Sequence, residues 1–429
     1  MGRYAYLNLL FSDPIYSLLI VSALVITALL AWTSAFRLSP ALLVPLYMPV
    51  CIAVSTASLL VANQLISPEN YIYVLIVSAL AIFMLSRAFN ELLIPAFRRL
   101  FEALAYKTAL QTMLICSVIS FAHSITVFSA SGAADASSRI AYLYVDSMQR
   151  LMTPFVAIVN AILFGLMCYF LYRGKLLPAL TGFVIMLFGT LASQSKGASF
   201  VSLISVFFLV KSLGVDPFES ILLRLPFKQK RSIIFKLAIT SVGLISFAIL
   251  FTVFTLLRGL ELNAISERLL QNADSIFMYF GDDVNLSERV CRDLGYIAPL
   301  HRGLAGLLGN DLAKDPSTIF GIALNSAVDN FASSNLEGPN AQLPSWSHCY
   351  YGYPLGLAVS ATLTLLYYLL CSIRLNFRGH QVFALAWFFT LYSAASFYQE
   401  VAGLTSVIAQ LIIIALFFIV FSTLRNGNP

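Results

Sequence analysis

Apolar residues run in long unbroken blocks along this chain, and polar residues gather between the blocks. Eleven blocks approach or exceed the roughly 20 residues that carry a helix across a bilayer. They cover 14–36, 41–66, 71–89, 109–129, 154–172, 176–193, 198–215, 233–257, 353–373, 380–398 and 401–424. The sixth and seventh are short and close together, so their ends are loosely set. Within each block the apolar residues are continuous rather than alternating, which argues against membrane strands. The pattern predicts an all-α polytopic membrane protein of about 11 transmembrane helices.

Composition narrows the class further. Of 429 residues 59% are hydrophobic and 11% charged, and the mean hydropathy is +0.85. Ordinary soluble domains carry about 25% charged residues. Soluble enzymes, disordered chains and disulfide scaffolds are excluded on this ground, and six Cys are too few for a scaffold. The first 13 residues lack a basic n-region, and the first block is too long for a signal h-region. No cleavable signal peptide is therefore expected.

Charge sets the expected orientation. With the C-terminus cytoplasmic, the inner segments hold Arg37, Arg87, Arg98, Arg99, Lys107, Arg173, Lys175, Lys211, Arg224, Lys228, Lys230, Arg231, Lys236, Arg374, Arg378 and Arg425. These are 16 of the 26 basic residues, against 4 of the 20 acids (Glu91, Glu102, Asp216 and Glu219), a net +12 inside and −6 outside. Eleven spans then place the N-terminus, with Arg3, outside. Two inner connections, 90–107 and 216–236, are basic and amphipathic. The simplest reading makes them topology signals lying on anionic lipid.

Between the blocks, one polar stretch stands out. Residues 258–352 form an outer loop, dividing the chain into helices one to eight (1–257), the loop (258–352) and helices nine to eleven (353–429). Leu262, Ile265, Leu269, Ala273, Ile276 and Phe280 keep helical spacing, which predicts an amphipathic helix over 262–280. Asp315-Pro316-Ser317-Thr318 reads as an N-cap with Pro at the first helical position, opening a helix from 316 to about 331. The aromatic, glycine-spaced run from Trp346 to Gly356 returns the chain to the membrane. Neither internal repeats nor low-complexity segments are evident.

Several chemistries have no signature here. There is no P-loop, dinucleotide fingerprint or H-E-x-x-H motif. The four His (His123, His301, His348, His380) and the Cys show no zinc spacing, and Asp282-Asp283 is a bare acidic pair. Neither a cofactor nor a metal is expected. Span interiors are nearly free of charge, with only Glu400 near a boundary. A charge at the bilayer centre costs about 2.5–3.5 kcal/mol, and ion-coupled transporters keep such acids for function, so that class is disfavoured.

Six of the ten outer cations remain as candidates: Lys196, Arg258, Arg268, Arg289, Arg292 and Arg302. Lys196 occupies a tight outer turn, where positive-inside statistics disfavour it. Arg and Lys near a membrane surface suit phosphate oxygens. The alternative is that each pairs with an acid of the outer loop. Outside the cytoplasm no nucleotide is normally available, so an external transferase needs a membrane substrate with its own leaving group. A polyprenyl diphosphate sugar fits. Its tail needs an apolar groove, and its sugars need surfaces such as Trp346, Tyr350, Tyr351, Asn340 and Gln342. No nucleic-acid partner is indicated.

The chain resembles the Wzy-type O-antigen and repeat-unit polymerases. Ser193-Gln194-Ser195-Lys196-Gly197-Ala198 resembles their Ser-Lys-small turn before a span. The stretch from Arg268 to Tyr279-Phe280 is similar to their Arg-led loop helix, and Asp315-Pro316-Ser317-Thr318 with Gly321 to their Asp-x-Pro…Gly stretch. Gly338-Pro339-Asn340-Ala341, then Tyr351-Gly352 and Gly356, resembles their return segment, with Gly356 one residue late. Related O-antigen ligases usually have His-Asn where Pro339-Asn340 stands, which favours polymerase over ligase. The topology likeness covers the whole chain and the motif likeness about 193–200 and 258–356.

The resemblance implies a GT-C-like polymerase/ligase architecture in a bacterial inner membrane, with the active site facing the periplasm. It implies undecaprenyl-diphosphate-linked oligosaccharides as donor and acceptor. Bulk membrane lipids, a chain-length regulator and a flippase of the same pathway are the other expected partners. Lys196, Arg258 and Arg268 would bind diphosphate, and Arg289, Arg292 and Arg302 the second lipid. His348 is the candidate general base, with ordinary histidine titration near neutral pH; a structural His bonded to a loop carbonyl is the alternative. Asp315 is a rival, for which N-capping is the preferred reading. Asn340 would fix the loop or a sugar hydroxyl. Cys291 and Cys349 both map outside, where disulfides persist; two buried free thiols are the preferred reading, and a bridge the alternative. Ligase, another lipid-linked glycosyltransferase, a lipid or polysaccharide transporter and an assembly scaffold are the competing functions.

Overall fold

The computed structural model describes residues 14–131, 147–192, 198–215, 274–281, 324, 341–373, 375, 377, 379–399 and 401–426. Among these the chain is helical throughout, with no strand. We label the helices α1 (Pro14–Trp32), α2 (Met48–Ala62), α3 (Pro68–Ala88), α4 (Ile94–Ala103), α5 (Tyr106–Ser131) and α6 (Ser147–Tyr172). They continue as α7 (Leu176–Ala192), α8 (Ala198–Ser212), α9 (Asp274–Phe280), α10 (Leu343–Ser372), α11 (Gln381–Ser393) and α12 (Ala402–Asn426). Six helical stretches in the described residues are long and apolar enough to cross a membrane: Pro40–Ala62, Pro68–Ala103, Tyr106–Val127, Pro154–Tyr172, Leu343–Ser372 and Ser406–Leu424. Leu19–Trp32 and Leu176–Met186 are shorter apolar helices. The apolar block at 233–257 lies outside the described residues. Leu114, Ile115 and Val118 on α5, and Leu416, Ile419 and Val420 on α12, are each more than half exposed. Apolar faces of this extent suit lipid rather than water. The chain is therefore a polytopic membrane protein.

Two helices pass through prolines by widening one turn. Pro45 and Pro95 have no N–H to donate and would crowd the carbonyl four residues back. One π-helical turn, Leu43–Tyr47, contains Pro45, and another, Phe89–Leu93, ends two residues before Pro95; they are closed by Met48 N–H to Leu43 O and Ile94 N–H to Phe89 O. The second turn joins α3 to α4 as one rod. This corrects the sequence expectation for 90–107. The apolar face of α4 does not lie on lipid, because protein covers it. Phe97 and Phe101 are fully buried, with ring centroids 4.7 Å from Phe389 and 5.7 Å from Tyr169 respectively.

The segments expected on the inside meet at one end of the bundle. Asn90 Nδ2 donates to Arg37 O (2.7 Å), and Ala41 N–H to Ser212 Oγ (2.8 Å). Arg98 Nη2 reaches Leu213 O (3.3 Å), and Arg173 Nη2 reaches Phe101 O (3.0 Å). These guanidinium groups satisfy carbonyls left open where α8 and α4 end, in the favourable polarity for a helix C-terminus. Lys211 lies 4.9 Å from the Trp32 ring centroid. Charge sorting along the sequence thus becomes a basic collar in space.

At the opposite end α10 turns back on itself. Ser347 and Ser360 are thirteen positions apart, about 20 Å along a straight helix, yet Ser360 Oγ donates to Ser347 Oγ at 2.9 Å. The break is at Gly352 (φ 71°, ψ −175°), a conformation essentially restricted to glycine. The arm 343–351 therefore folds against the arm 353–372, and the latter, with 20 residues, matches the expected span at 353–373. Gly356 makes the fold-back tight: a Cβ there would strike the Tyr73 hydroxyl and stand 2.8 Å from Ser347 O.

Candidate functional site

The short arm of α10 carries His348 into a ring of aromatic side chains. Tyr73, in the second turn of α3, stands edge-on to the imidazole with centroids 4.9 Å apart. Phe280 and Tyr279, from α9, lie at 5.2 and 5.7 Å. Tyr353 packs on Tyr73 at 5.4 Å from the start of the long arm. Three separate parts of the chain thus build one site: the α2–α3 corner, the loop helix α9 and the turned-back arm.

Each wall has a local cause. Helix α9 is apolar nearly all round, and residues 275–280 are all buried. It packs against α2 and α10, where Gly281 meets Leu60. A one-sided amphipathic helix was expected over 262–280; the described part of it is sunk on every side. Ser275 Oγ accepts a hydrogen bond from Ser345 Oγ (3.0 Å), tying α9 to the short arm. The Tyr73 hydroxyl pairs with Ser347 Oγ (2.8 Å), tying that arm to α3. Lower down, Ser78 Oγ pairs with Tyr398 OH (2.7 Å) and Tyr367 OH donates to Leu391 O (3.1 Å). Hydroxyl partners of this kind satisfy polar groups in a low-dielectric interior.

His348 is half-buried, and its Nδ1 lies 2.9 Å from the Tyr279 hydroxyl. The partner is a side chain, not the loop carbonyl of the structural alternative. Nε2 has no hydrogen-bond partner among the described residues. An imidazole in this setting has one nitrogen engaged by protein and one available to a ligand. The rings that pack on it, Tyr73, Tyr279 and Phe280, are buried, and a neutral imidazole so held can accept a proton through its remaining nitrogen.

Five of the sequence candidates fall within the described residues: His348, Tyr350, Tyr351, and the sugar-surface candidates Trp346 and Gln342, both of which are buried. His348 is central. Tyr350 is 3% exposed and packs between Trp346 (5.5 Å) and Tyr351 (6.2 Å), inside the arm's own core. Tyr351 is half-buried and keeps some open surface. Asp315, Lys196, Arg258, Arg268, Arg289, Arg292, Arg302 and Asn340 lie outside the described residues, as do Asp282-Asp283, Glu400 and the helix expected at 316–331 apart from Leu324. Tyr73 and Tyr279, with Phe280 and Tyr353, shape the site without having been site candidates in the sequence. Tyr279 stood in the sequence only beside Phe280, which ended the helical pattern of the loop. Tyr73 had no local signal, because its partner Ser347 is 274 positions away.

Beside His348, Cys349 is disulfide-bonded. This corrects the preferred expectation of a free thiol there. Cys51, Cys116, Cys168 and Cys371 are free, as expected of span packing, and the sixth cysteine, Cys291, lies outside the described residues. No grouping of three or more His, Cys, Asp or Glu side chains that suits a metal occurs among the described residues. No family model, curated protein or solved structure matches the chain.

Proposed function

We propose that this protein is an O-antigen-type polymerase, a glycosyltransferase that joins undecaprenyl-diphosphate-linked oligosaccharide repeat units. The growing glycan moves from its lipid diphosphate onto the terminal sugar of an incoming lipid-linked unit. In this reading the C-terminus and the basic collar face the cytoplasm of a bacterial inner membrane, and the His348 end faces the periplasm. The observation that carries the proposal is the meeting of α9, from the large loop, with the short arm of α10 around His348. It lies at the bundle end opposite the cationic collar.

The reaction needs a hydroxyl deprotonated as it attacks and a leaving group already in place. The acceptor oxygen bonds to the anomeric carbon of the donor. The anomeric carbon–diphosphate oxygen bond breaks, and its electron pair leaves with undecaprenyl diphosphate. His348 Nε2 takes the hydroxyl proton. Tyr353 and Tyr351, half-buried on either side of the Gly352 turn, are the aromatic residues that would meet the sugars. Lys196, Arg258, Arg268, Arg289, Arg292 and Arg302 supply the cations that the two diphosphates require, as the family resemblance suggests.

The test is polymer formation in cells carrying His348→Gln, at normal protein level. Loss of the long-chain ladder is expected. A wild-type ladder would remove His348 from the chemistry. In a strain lacking its own ligase, glycan transfer to lipid A core by the wild-type chain, without a ladder, would replace polymerase by ligase.

A further inference from the structure

A histidine that accepts a proton through Nε2 must carry its resting proton on Nδ1. Which nitrogen holds it is set by the partner of the other one. In this site the two nitrogens face different surroundings. Nδ1 is turned to Tyr279, whose side chain is 7% exposed on the buried helix α9, with the hydroxyl at 2.9 Å. Phe280 and Tyr73 close the ring's flanks at 5.2 and 4.9 Å. Nε2 has no partner among the described residues.

We propose that Tyr279 is a positioning residue for His348. Its phenol oxygen accepts the Nδ1–H, fixes the proton on that nitrogen, and leaves the Nε2 lone pair for a substrate hydroxyl. The role of Nε2 as base, and with it the choice of Nδ1 as the protonated nitrogen, rests on the polymerase reading; the Tyr279–His348 contact does not. When the hydroxyl proton reaches Nε2, the imidazolium keeps its Nδ1–H bond to Tyr279, so no group turns during transfer. The loop helix thereby acts on the chemistry without touching the sugar. Its seat against Ser345 of the arm, through Ser275 (3.0 Å), holds the hydrogen bond at length.

The chain has four His, so a 15N-histidine spectrum of the full-length protein in nanodiscs is tractable. His348→Gln identifies the His348 resonances by their loss. The wild-type spectrum is expected to show His348 with Nδ1 protonated and Nε2 bare. Tyr279→Phe is expected to move the proton toward Nε2. It is also expected to lower kcat for repeat-unit joining about fivefold or more, with KM unchanged, the scale of one neutral hydrogen bond. A wild-type His348 protonated on Nε2 overturns the proposal even if Tyr279→Phe does not fold. So does a folded Tyr279→Phe protein with wild-type kcat. A wild-type protein with the expected Nδ1–H form that joins no repeat units counts against the polymerase reading and leaves the Tyr279–His348 arrangement standing.

Discussion

Replacing Gly352 by Ala separates two readings of α10 by the sign of one number. Gly352 has φ 71° and ψ −175°, and non-glycine residues held in such regions cost about 1–3 kcal/mol. A Cβ at this position meets nothing within 4 Å, so the neighbours add no clash and the cost is confined to the backbone. Alanine also narrows the unfolded ensemble, which offsets about 0.4–1 kcal/mol. The net expectation is a loss of stability of about 0–2.6 kcal/mol. A straight helix through 343–372 predicts the reverse, because Ala exceeds Gly in a helix interior by about 1 kcal/mol. Reversible unfolding of the purified protein in mixed micelles, titrated with denaturing detergent, measures the difference. The Gly352→Ala midpoint should fall below that of wild type. A midpoint raised by the equivalent of about 1 kcal/mol would refute the turned-back arm, and with it the construction of the His348 site.

The same assay reads the other structural contacts. Tyr73→Phe keeps the ring against His348 but loses the hydroxyl at 2.8 Å from Ser347, and should cost about 0.5–1.5 kcal/mol; no change would mean that the hydroxyl does not hold the arm. Phe97→Ala should cost about 3–5 kcal/mol, since Phe97 is fully buried among Phe388, Phe389 and Phe101. An unchanged stability there would restore α4 to the lipid surface. Peptide mapping without reductant should find Cys349 bridged and Cys51, Cys116, Cys168 and Cys371 as thiols. Cys349→Ser should lower stability by about 2–5 kcal/mol, and an alkylatable Cys349 in the native protein would contradict the bridge.

What could be read from the sequence was what the bilayer imposes locally. Spans such as 71–89, 109–129 and 154–172 lie on helices because about 20 apolar residues in a row have one economical conformation in lipid. Lys and Arg placement carried over as well: Arg37, Arg98, Arg173 and Lys211 come together at one end. What could not be read was long-range or conformational. The join of α3 to α4 depends on a widened turn before Pro95 that hydropathy does not encode. Gly352 and Pro354 mark a break in the chain, but the angle of that break depends on Tyr73, Ser347 and Ser360 meeting across it. His348 was legible as a candidate from residue type and its place in the return segment. Its partner Tyr279 is 69 positions away, and no periodicity links them.

The central claim is that this chain joins lipid-linked repeat units at the His348 end. Purified protein in liposomes, given undecaprenyl-diphosphate-linked repeat units and no nucleotide, tests it directly. Wild-type protein should give a ladder of lengthening lipid-linked glycans and His348→Gln none. Unchanged substrate with folded wild-type protein, or an equal ladder from His348→Gln, would contradict it.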